Sequence, residues 1–269
     1  MGSLGIYVHV PFCVKKCNYC DFLSFPLKKE TDCSEVENYV NALRKELCNP
    51  FKMPESPAEV DTIYLGGGTP SLLSGRQIGT ILETIRRKFS VKPDAEITME
   101  CNPGTVTAES LRAFRNLGIN RLSIGIQSAV EKELSLLGRI HTFSQAKQAV
   151  FWAREAGFTN LSVDLMSAIP GQTLASYEHS LQEILALEPQ HISSYSLIIE
   201  EGTPFFEKYS GNPPVDEDTD RKMYELTQQM LVDRGYARYE ISNYARPGFE
   251  SRHNTKYWTG EDYLGVGLG

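Results

Sequence analysis

The feature that most constrains the fold is a repeated alternation of short, β-branched apolar segments with longer segments of helical periodicity. Six strand-like segments occur, at residues 6–10, 62–68, 96–102, 121–128, 161–170 and 191–199. Segments with helical spacing occur at residues 36–47, 77–89, 108–117, 144–156, 176–187 and 219–234. This alternation predicts a parallel sheet covered by helices, which is either a β/α barrel or a doubly wound sheet.

Polar residues at the strand ends distinguish these two architectures. In a β/α barrel, functional side chains gather at the carboxyl ends of many different strands. Here a cysteine-rich loop follows the first strand and glycines end the second, while the next four ends carry Glu100, Gln127, Asp164 and Tyr195. Since only six units are present, we predict an α/β fold with a partial, open (β/α)6 TIM-like barrel over residues 1–235.

The segment beyond the last predicted helix differs from the repeating units. Residues 236–245, YARYEISNYA, are predicted to form one further strand, followed by a loop rich in Pro, Gly and Ser. The chain then closes on the apolar, glycine-containing run YLGVGLG at residues 263–269. We interpret residues 236–269 as the start of a C-terminal extension that is truncated here.

The composition excludes several classes of protein. Lys and Arg number 27 against 34 Asp and Glu, a net charge of −7 that argues against nonspecific nucleic-acid binding. No apolar run reaches the ~18 residues of a membrane span, and no leader precedes Ile6, so we expect a cytoplasmic protein without an integral membrane segment. The six cysteines are therefore interpreted as reduced thiols or metal ligands. Cys33, Cys48 and Cys101 are scattered, and each is interpreted as a small buried hydrophobe.

Three cysteines lie within eight residues, in CVKKCNYC at residues 13–20, and Phe22 stands where a fourth could follow. A structural zinc site or an ordinary iron–sulfur cluster uses four protein ligands. If Cys13, Cys17 and Cys20 hold a four-iron cluster, one iron stays open to a small molecule. The alternative is a Cys₃His zinc site that includes His9 or a distant thiol, in a structural zinc-binding interaction protein.

Several separated motifs resemble one known family along the whole chain. YVHVPFC (7–13), the C-x₃-C-x₂-C loop and GGGTP (66–70) are similar to the radical S-adenosylmethionine (SAM) superfamily. The similarity is to the branch of oxygen-independent coproporphyrinogen III dehydrogenase and the HemW-type heme chaperones. It implies a [4Fe–4S] cluster on Cys13, Cys17 and Cys20, with the amine and carboxylate of SAM at the open iron.

Two features of the sequence point to the chaperone side of that branch. The dehydrogenase pattern carries another cysteine two residues after the third, where this chain has Phe22. HNTKYW at residues 253–258 fits the HNxxYW motif associated with HemW-type proteins. That motif implies His253 as an axial ligand to heme iron, with Tyr257 and Trp258 as flat surfaces for the porphyrin. A hydrogen-bonded histidine beside two core aromatics is the alternative.

The resemblance also implies a set of SAM contacts. Gly67, Gly68 and Thr69 are expected at the amino end of SAM, although a tight turn alone could explain the glycines. Glu100 follows an apolar strand, where a carboxylate can accept hydrogen bonds from both ribose hydroxyls; the alternative is a solvated residue at the end of the strand. Gln127 lies at a position that contacts SAM in the dehydrogenase.

Three further residues complete the predicted site. Arg139 has a guanidinium suited to the methionine carboxylate, with surface ion pairing as the alternative. Asp164 lies in an otherwise apolar strand, where an unpaired charge is costly and implies a ligand. Tyr7 could cover the cofactor or belong to the core.

The functional prediction is a heme chaperone that binds a [4Fe–4S] cluster and SAM, takes up heme and delivers it to acceptor hemoproteins. An electron donor such as flavodoxin or ferredoxin is expected as a further partner. The alternatives are a coproporphyrinogen III dehydrogenase, which decarboxylates two propionates oxidatively, and the zinc-binding interaction protein. No catalytic residue is assigned.

Overall fold

The computed structural model describes residues 3–27, 32–49, 59–209 and 215–267, without the side chains of residues 32 and 33. The strands are β1 (Ser3–Val10), β2 (Phe12–Cys13), β3 (Phe25–Pro26), β4 (Glu59–Gly67), β5 (Ser90–Cys101), β6 (Arg121–Gln127), β7 (Leu161–Ser167), β8 (His191–Ser196), β9 (Ala237–Arg238), β10 (Asn243–Ala245) and β11 (Tyr263–Val266). The helices are α1 (Asp32–Leu47), α2 (Gly75–Lys88), α3 (Ala108–Asn116), α4 (Glu131–Leu137), α5 (Phe143–Glu155), α6 (Leu174–Ala186), α7 (Pro204–Tyr209), α8 (Glu217–Asp233) and α9 (Arg252–Thr259).

The main sheet has the order β11-β1-β4-β5-β6-β7-β8-β10-β9. Its strands are parallel from β11 through β8, and β10 runs antiparallel to both β8 and β9. Among the described strands, β11 and β9 form the two edges and do not pair with each other. The predicted α/β fold with an open, incomplete barrel of β1 and β4 through β8 is therefore confirmed.

Alternating side chains give the two faces of the sheet different chemistry. The outward residues of β5 through β8, such as Met99, Leu122 and Val163, pack into one apolar core with the helices. The inward residues between them are mostly polar and face the concave side of the sheet: Thr98, Glu100, Arg121, Ser123, Ser162, Asp164, His191 and Ser193. The strand period of two thus separates a hydrophobic exterior, covered by helices, from a polar interior available to ligands.

The helices begin at side chains that the sequence supplies for that purpose. Ser74 and Thr142 each accept a hydrogen bond from the backbone N–H three residues later, where a glutamine bonds back to complete a capping box. Thr107 and Thr173 make the same arrangement with a serine as the third residue. Each cap satisfies N–H groups that have no partner within the helix, so the strand-to-helix connections have defined geometry.

The structure corrects the prediction for the C-terminal segment. Residues 236–245 form two short antiparallel strands, β9 and β10, instead of one strand, because residues 240–242 turn between them. Tyr263–Val266 forms β11, which pairs in parallel with β1. Residues 236–267 therefore add strands to both edges of the sheet, while the domain boundary near residue 235 stays a prediction. Residues 268 and 269 of the terminal run lie outside the described residues.

The cysteines outside the cysteine-rich loop differ in burial. Cys101 is buried, as predicted, whereas the prediction for Cys48 is wrong because its side chain is exposed just after α1. The side chain of Cys33 lies outside the described part of the chain. In that described part, no helix combines the length and apolar character that a membrane crossing requires.

Candidate cofactor site

A cavity of about 350 Å³ lies at the carboxyl ends of the parallel strands. All of the predicted site residues except Tyr7 and His253 line it: Cys13, Cys17, Cys20, Gly67, Gly68, Thr69, Glu100, Gln127, Arg139 and Asp164. The size lies within the range of about 300–1,000 Å³ found for small-ligand sites. The open barrel thus brings residues from distant strand ends to one concave surface.

The cysteine loop is fixed to the barrel by hydrogen bonds to elements remote in sequence. Asn18 donates from its backbone N–H to Leu137 O over 2.9 Å and from its side chain to Leu136 O over 2.8 Å, at the end of α4. Its own carbonyl accepts a bond from the N–H of Phe205 in α7, over 2.9 Å. The three thiols are free and half-buried around this anchor. The loop therefore presents its sulfur atoms from a restrained backbone.

The geometry does not favour the zinc interpretation. His9 Nε2 lies 2.8 Å from Leu23 O, and its Nδ1 lies 3.2 Å from the hydroxyl of Tyr7, so both ring nitrogens are engaged away from the cavity. Within the described ranges, no three His, Cys, Asp or Glu side chains converge on a single metal-ion position. Thiols that do not meet at one ion position suit a polynuclear cluster better than a single tetrahedral ion.

Two predicted SAM residues donate hydrogen bonds to the cysteine sulfur atoms. Thr69 Oγ1 lies 3.6 Å from Cys13 Sγ, and Arg139 Nη1 lies 3.6 Å from Cys17 Sγ. Arg139 Nη2 also donates to Gly125 O over 2.7 Å. Donors to sulfur are one of the means by which a protein sets the potential of an iron–sulfur cluster. Arg139 thus lies beside the thiols, between the cysteine loop and the wall of the cavity.

The glycines after β4 are required by close packing within the protein. A Cβ atom on Gly68 would lie 2.7 Å from Phe12 O, and Gly67 has φ +106°, a conformation that favours glycine. The N–H groups of Gly68 and Thr69 donate to Val10 O and Phe12 O over 2.8 and 2.7 Å. An amine donates hydrogen bonds, so contact with a ligand amine at this turn has to use backbone carbonyl oxygens.

Substitution of Gly68 by alanine should therefore destabilise the protein strongly. The added Cβ collides with backbone atoms, which cannot rotate away as a side chain can, and we expect a loss of about 2 kcal/mol or more in the free energy of unfolding. Gly265→Ala is the matched control, since nothing lies within 4 Å of its Cβ position. Urea denaturation measures both variants, and equal stability losses would contradict this account.

Glu100 is held on the cavity wall by two hydrogen bonds. The hydroxyl of Tyr64 donates to Oε1 over 2.9 Å, and the N–H of Gly67 donates to Oε2 over 3.1 Å. Burial raises the pKa of Glu100 to about 7, against the lowering effect of the Tyr64 bond. The nearby Asp164 raises the pKa further. The carboxylate is thus oriented toward the cavity and sensitive to pH near neutrality.

Gln127 has the features of a residue positioned for a ligand. Its φ is +73°, in the left-handed region that residues other than glycine rarely adopt, and β6 shifts register between Gly125 and Gln127. Its side chain is buried, yet Oε1 has no hydrogen-bond partner among the described residues. Arg139 Nε is likewise without a partner. The strained backbone and the unpaired buried polar atoms indicate that this side of the cavity binds a polar ligand.

A buried arginine that the sequence reasoning missed lies deeper in the cavity. Arg121 is 1% exposed, and its Nε has no hydrogen-bond partner in the described part of the chain. Burial raises the pKa of Asp164, and the hydrogen bond from Ser123 and the positive charge of Arg121 only partly offset this rise. The signal was available, since Arg121, Ser123 and Gln127 share one face of a strand with period two.

A second cavity of about 480 Å³ adjoins the first. We call it the aromatic groove; its aromatic and aliphatic lining consists of Tyr7, Tyr64, Tyr195, Ile241, Tyr257 and Trp258. Tyr64, Glu100, Tyr195 and Asn254 line both cavities. Tyr7, predicted to cover the cofactor, therefore lies in the neighbouring groove and not in the cysteine-lined cavity.

His253 lies beneath the aromatic groove and is fully buried. Its Nδ1 is 2.8 Å from Thr62 Oγ1, and its Nε2 is 3.0 Å from the hydroxyl of Tyr257. Burial lowers the pKa of His253 to about 4, so the ring is neutral near pH 7. The predicted role as a heme ligand stays a prediction, but both ring nitrogens are engaged in this arrangement.

Comparison with known proteins agrees with this geometry. Residues 7–184 match the profile of the Radical SAM superfamily. The chain is 42% identical over its full length to "Heme chaperone HemW" of Escherichia coli, of which it covers 70%. It is 38% identical to "Heme chaperone HemW" of Bacillus subtilis, with 98% of this chain and 69% of that protein aligned. The chain belongs to the radical SAM superfamily and, within it, to the HemW family.

A solved structure supports the same placement of this radical SAM protein. The coproporphyrinogen III oxidase HemN of Escherichia coli superimposes with a TM-score of 0.86 at 25% identity, over 99% of this chain and 64% of that one. The chain therefore spans about two thirds of the length of these three relatives. Membership of the superfamily implies SAM and a [4Fe–4S] cluster. Three free cysteines, with unpaired Gln127 Oε1 and Arg139 Nε beside them, fit those two groups.

Proposed function

We propose that this radical SAM protein is a heme chaperone: it binds a [4Fe–4S] cluster and SAM, takes up heme and delivers it to acceptor hemoproteins. One observation carries the proposal. The three cysteines and the predicted SAM residues other than Tyr7 line a single cavity next to the aromatic groove, although they come from five strands or their ends and from the loop after α4. The HemW relatives named above support heme as the cargo.

In this proposal some residues of the cavity would hold the cluster and others would contact SAM. Cys13, Cys17 and Cys20 would hold the cluster, which when bound supplies one iron without a protein ligand. The carbonyl oxygens at Gly67 and Gly68 would accept from the amine of SAM, because an amine donates hydrogen bonds. Thr69 and Arg139 would orient the thiolates through their bonds to sulfur.

The remaining wall would recognise the rest of SAM. Glu100 presents oriented carboxylate oxygens for ribose hydroxyls, held by Tyr64 and Gly67. Gln127 has an unpaired amide oxygen that can accept from a ligand. Asp164 and Arg121 provide one charge of each sign deeper in the cavity, where low dielectric strengthens their attraction to a zwitterionic ligand.

Two observations separate the chaperone from the dehydrogenase. Phe22, at the position of the additional cysteine in the dehydrogenase pattern, lies at the rim of the cavity and is 61% exposed. HNTKYW forms most of α9, whose Tyr257 and Trp258 line the aromatic groove. The likeness to HemN keeps coproporphyrinogen III dehydrogenase as the second candidate, since the barrel itself does not distinguish the two functions.

The test compares heme binding with decarboxylation on the same preparation. The anaerobically reconstituted protein is titrated with ferric heme, then mixed with an apo-hemoprotein, and separately given coproporphyrinogen III with SAM and a reductant. We expect stoichiometric heme binding, transfer to the acceptor and no loss of carboxyl groups. Decarboxylation of the substrate without heme binding would establish the dehydrogenase instead.

The proposal also includes an electron donor, a cellular compartment and a division into domains. A flavodoxin- or ferredoxin-type donor would reduce the cluster, and the protein would work in the cytoplasm. Residues 1–235 would be the radical SAM core, and residues 236–269 would form a C-terminal extension to it.

A further inference from the structure

The aromatic groove presents one side chain whose chemistry and exposure suit a metal ion at the centre of a flat ligand. Tyr257 is 46% exposed and lines the groove together with Tyr7 and Trp258. Its ring packs edge-on against Tyr263, with centroids 4.9 Å apart, and against His253 at 5.4 Å. The phenol is therefore held in one orientation while its oxygen remains at the groove.

The hydrogen bond between Tyr257 and His253 defines the roles of both residues. The Tyr257 hydroxyl lies 3.0 Å from His253 Nε2, and Thr62 Oγ1 occupies Nδ1 at 2.8 Å. In one tautomer of His253, Nε2 accepts a hydrogen bond from the Tyr257 hydroxyl. In the other tautomer, Nε2 donates to the phenol oxygen. The tautomer in which Nε2 donates stabilises a phenolate, whereas the tautomer in which Nε2 accepts stabilises the neutral phenol.

His253 itself is poorly placed to bind a metal. It is fully buried beneath Tyr7 and Tyr64, whose rings stack on it with centroids 6.4 and 5.3 Å away. Its backbone N–H donates to Glu96 Oε1 over 3.2 Å, which fixes the start of α9 on the sheet. To reach a ligand in the groove, the imidazole would have to break two hydrogen bonds and leave this stack.

We propose that Tyr257, and not His253, ligates the iron of ferric heme in the aromatic groove, while His253 is the positioning residue that holds the phenol oxygen. This inference rests on the proposed heme-binding function and names the ligand within it. On binding, the phenol O–H bond breaks, an Fe–O bond forms and one proton is released to water, while the iron stays ferric. Phenolate oxygen is an established protein ligand of heme iron.

The surroundings of the groove agree with a porphyrin face. Trp258 and Ile241 are more than 60% exposed on this surface, an arrangement that a flat apolar ligand would cover. Among the described residues, the groove is lined by the carboxylates Glu100 and Glu240 and by neither lysine nor arginine. The anionic propionates would therefore point out to solvent, with the ring facing the aromatic side chains.

The test titrates ferric heme into the reconstituted wild-type protein, Tyr257→Phe and the matched control Tyr263→Phe. We expect Tyr257→Phe to weaken heme binding about tenfold or more and to abolish the phenolate-to-iron charge-transfer band and the Fe–O(phenolate) Raman mode. Tyr263→Phe removes a neighbouring hydroxyl group and keeps the aromatic ring, so it should leave the heme affinity and the heme spectrum unchanged.

A fourth protein, His253→Gln, separates the ligand from its positioning residue. We expect it to retain iron-bound phenolate with a shifted charge-transfer band, because the glutamine amide can still bond the phenol oxygen. Wild-type heme binding with a spectrum that Tyr257→Phe leaves unchanged overturns the ligand assignment alone. If the wild-type protein binds no heme, the proposed chaperone function fails as well, so the two failures are distinguishable.

Discussion

Replacement of Cys17 by serine is expected to reduce the iron content of the reconstituted protein from about four atoms per chain to near zero. A cluster held by only three protein thiolates is not retained when one of them is lost. Cys17 Sγ also accepts the hydrogen bond from Arg139 that fixes its position. A serine hydroxyl is a much weaker ligand for iron than a thiolate. Iron and sulfide analysis after anaerobic reconstitution measures the effect.

Cys48→Ser is the control for this experiment. Cys48 is an exposed thiol just after α1 and does not line the cavity, so its loss should leave iron and sulfide at wild-type levels. Circular dichroism of both variants checks that the fold is intact. Full iron content in Cys17→Ser would contradict the assignment of the cysteine loop as the cluster site.

Substitution of Glu100 by glutamine should have opposite effects on binding and on stability. The variant loses charge-assisted hydrogen bonds to the ligand, each worth about 1.5–3 kcal/mol, so SAM affinity should fall about 10- to 100-fold. The folded protein, in contrast, no longer has to ionise a buried carboxyl group whose pKa is raised to about 7. Glu100→Gln is therefore expected to be more stable than wild type in alkaline solution.

The pH dependence of that stability gain follows from the direction of the shift. Between the ordinary glutamate pKa near 4.5 and the folded value of about 7, the native state binds more protons than the unfolded state. Wild-type stability therefore falls as pH rises through this window, by a total of about 3 kcal/mol, and the loss is complete above pH about 7. Glu100→Gln should match wild type near pH 4 and exceed it at pH 8.

Calorimetric titration with SAM and urea denaturation at these two pH values test both effects. Glu109→Gln is the matched control, because that carboxylate is exposed on α3 and does not line the cavity. Stability of Glu100→Gln that equals wild type at pH 8, or unchanged SAM affinity, would contradict the proposed role of the carboxyl group.

The regular part of the fold was predictable because each local signal agreed with the tertiary structure. The strand predicted at 121–128 forms as Arg121–Gln127, and the helix predicted at 108–117 forms as Ala108–Asn116. β-branched apolar segments predicted the strands, and helical spacing of apolar residues predicted the helices. Six such units in sequence limited the topology to a few choices.

The elements that were missed depend on contacts between residues remote in sequence. β11 is four residues long and contains a glycine, and it exists as a strand because β1 offers it an unpaired edge. The segment 236–245 contains the strand-forming residues Tyr and Ile, but its ends pair with each other and fold back around residues 240–242. Neither outcome can be read from local propensity.

The site was predicted unevenly for a similar reason. The cysteines stood out by spacing, and Glu100, Gln127 and Asp164 by their places at strand ends and the family resemblance. Arg121 was missed because it begins β6, whereas functional residues of a β/α barrel are expected at the carboxyl ends of the strands. The engagement of both nitrogens of His253 by Thr62 and Tyr257 required the packing of α9 on β4, which a motif alone does not specify.

The central claim is that the three cysteines leave one iron of a four-iron cluster open, and that SAM binds there. The most direct measurement is the electron paramagnetic resonance spectrum of the reduced, reconstituted protein before and after SAM is added, with ¹⁷O-labelled SAM carboxylate to detect coupling to iron. The account predicts a changed spectrum and ¹⁷O coupling. An unchanged spectrum without coupling, or stoichiometric zinc in place of iron, would contradict it.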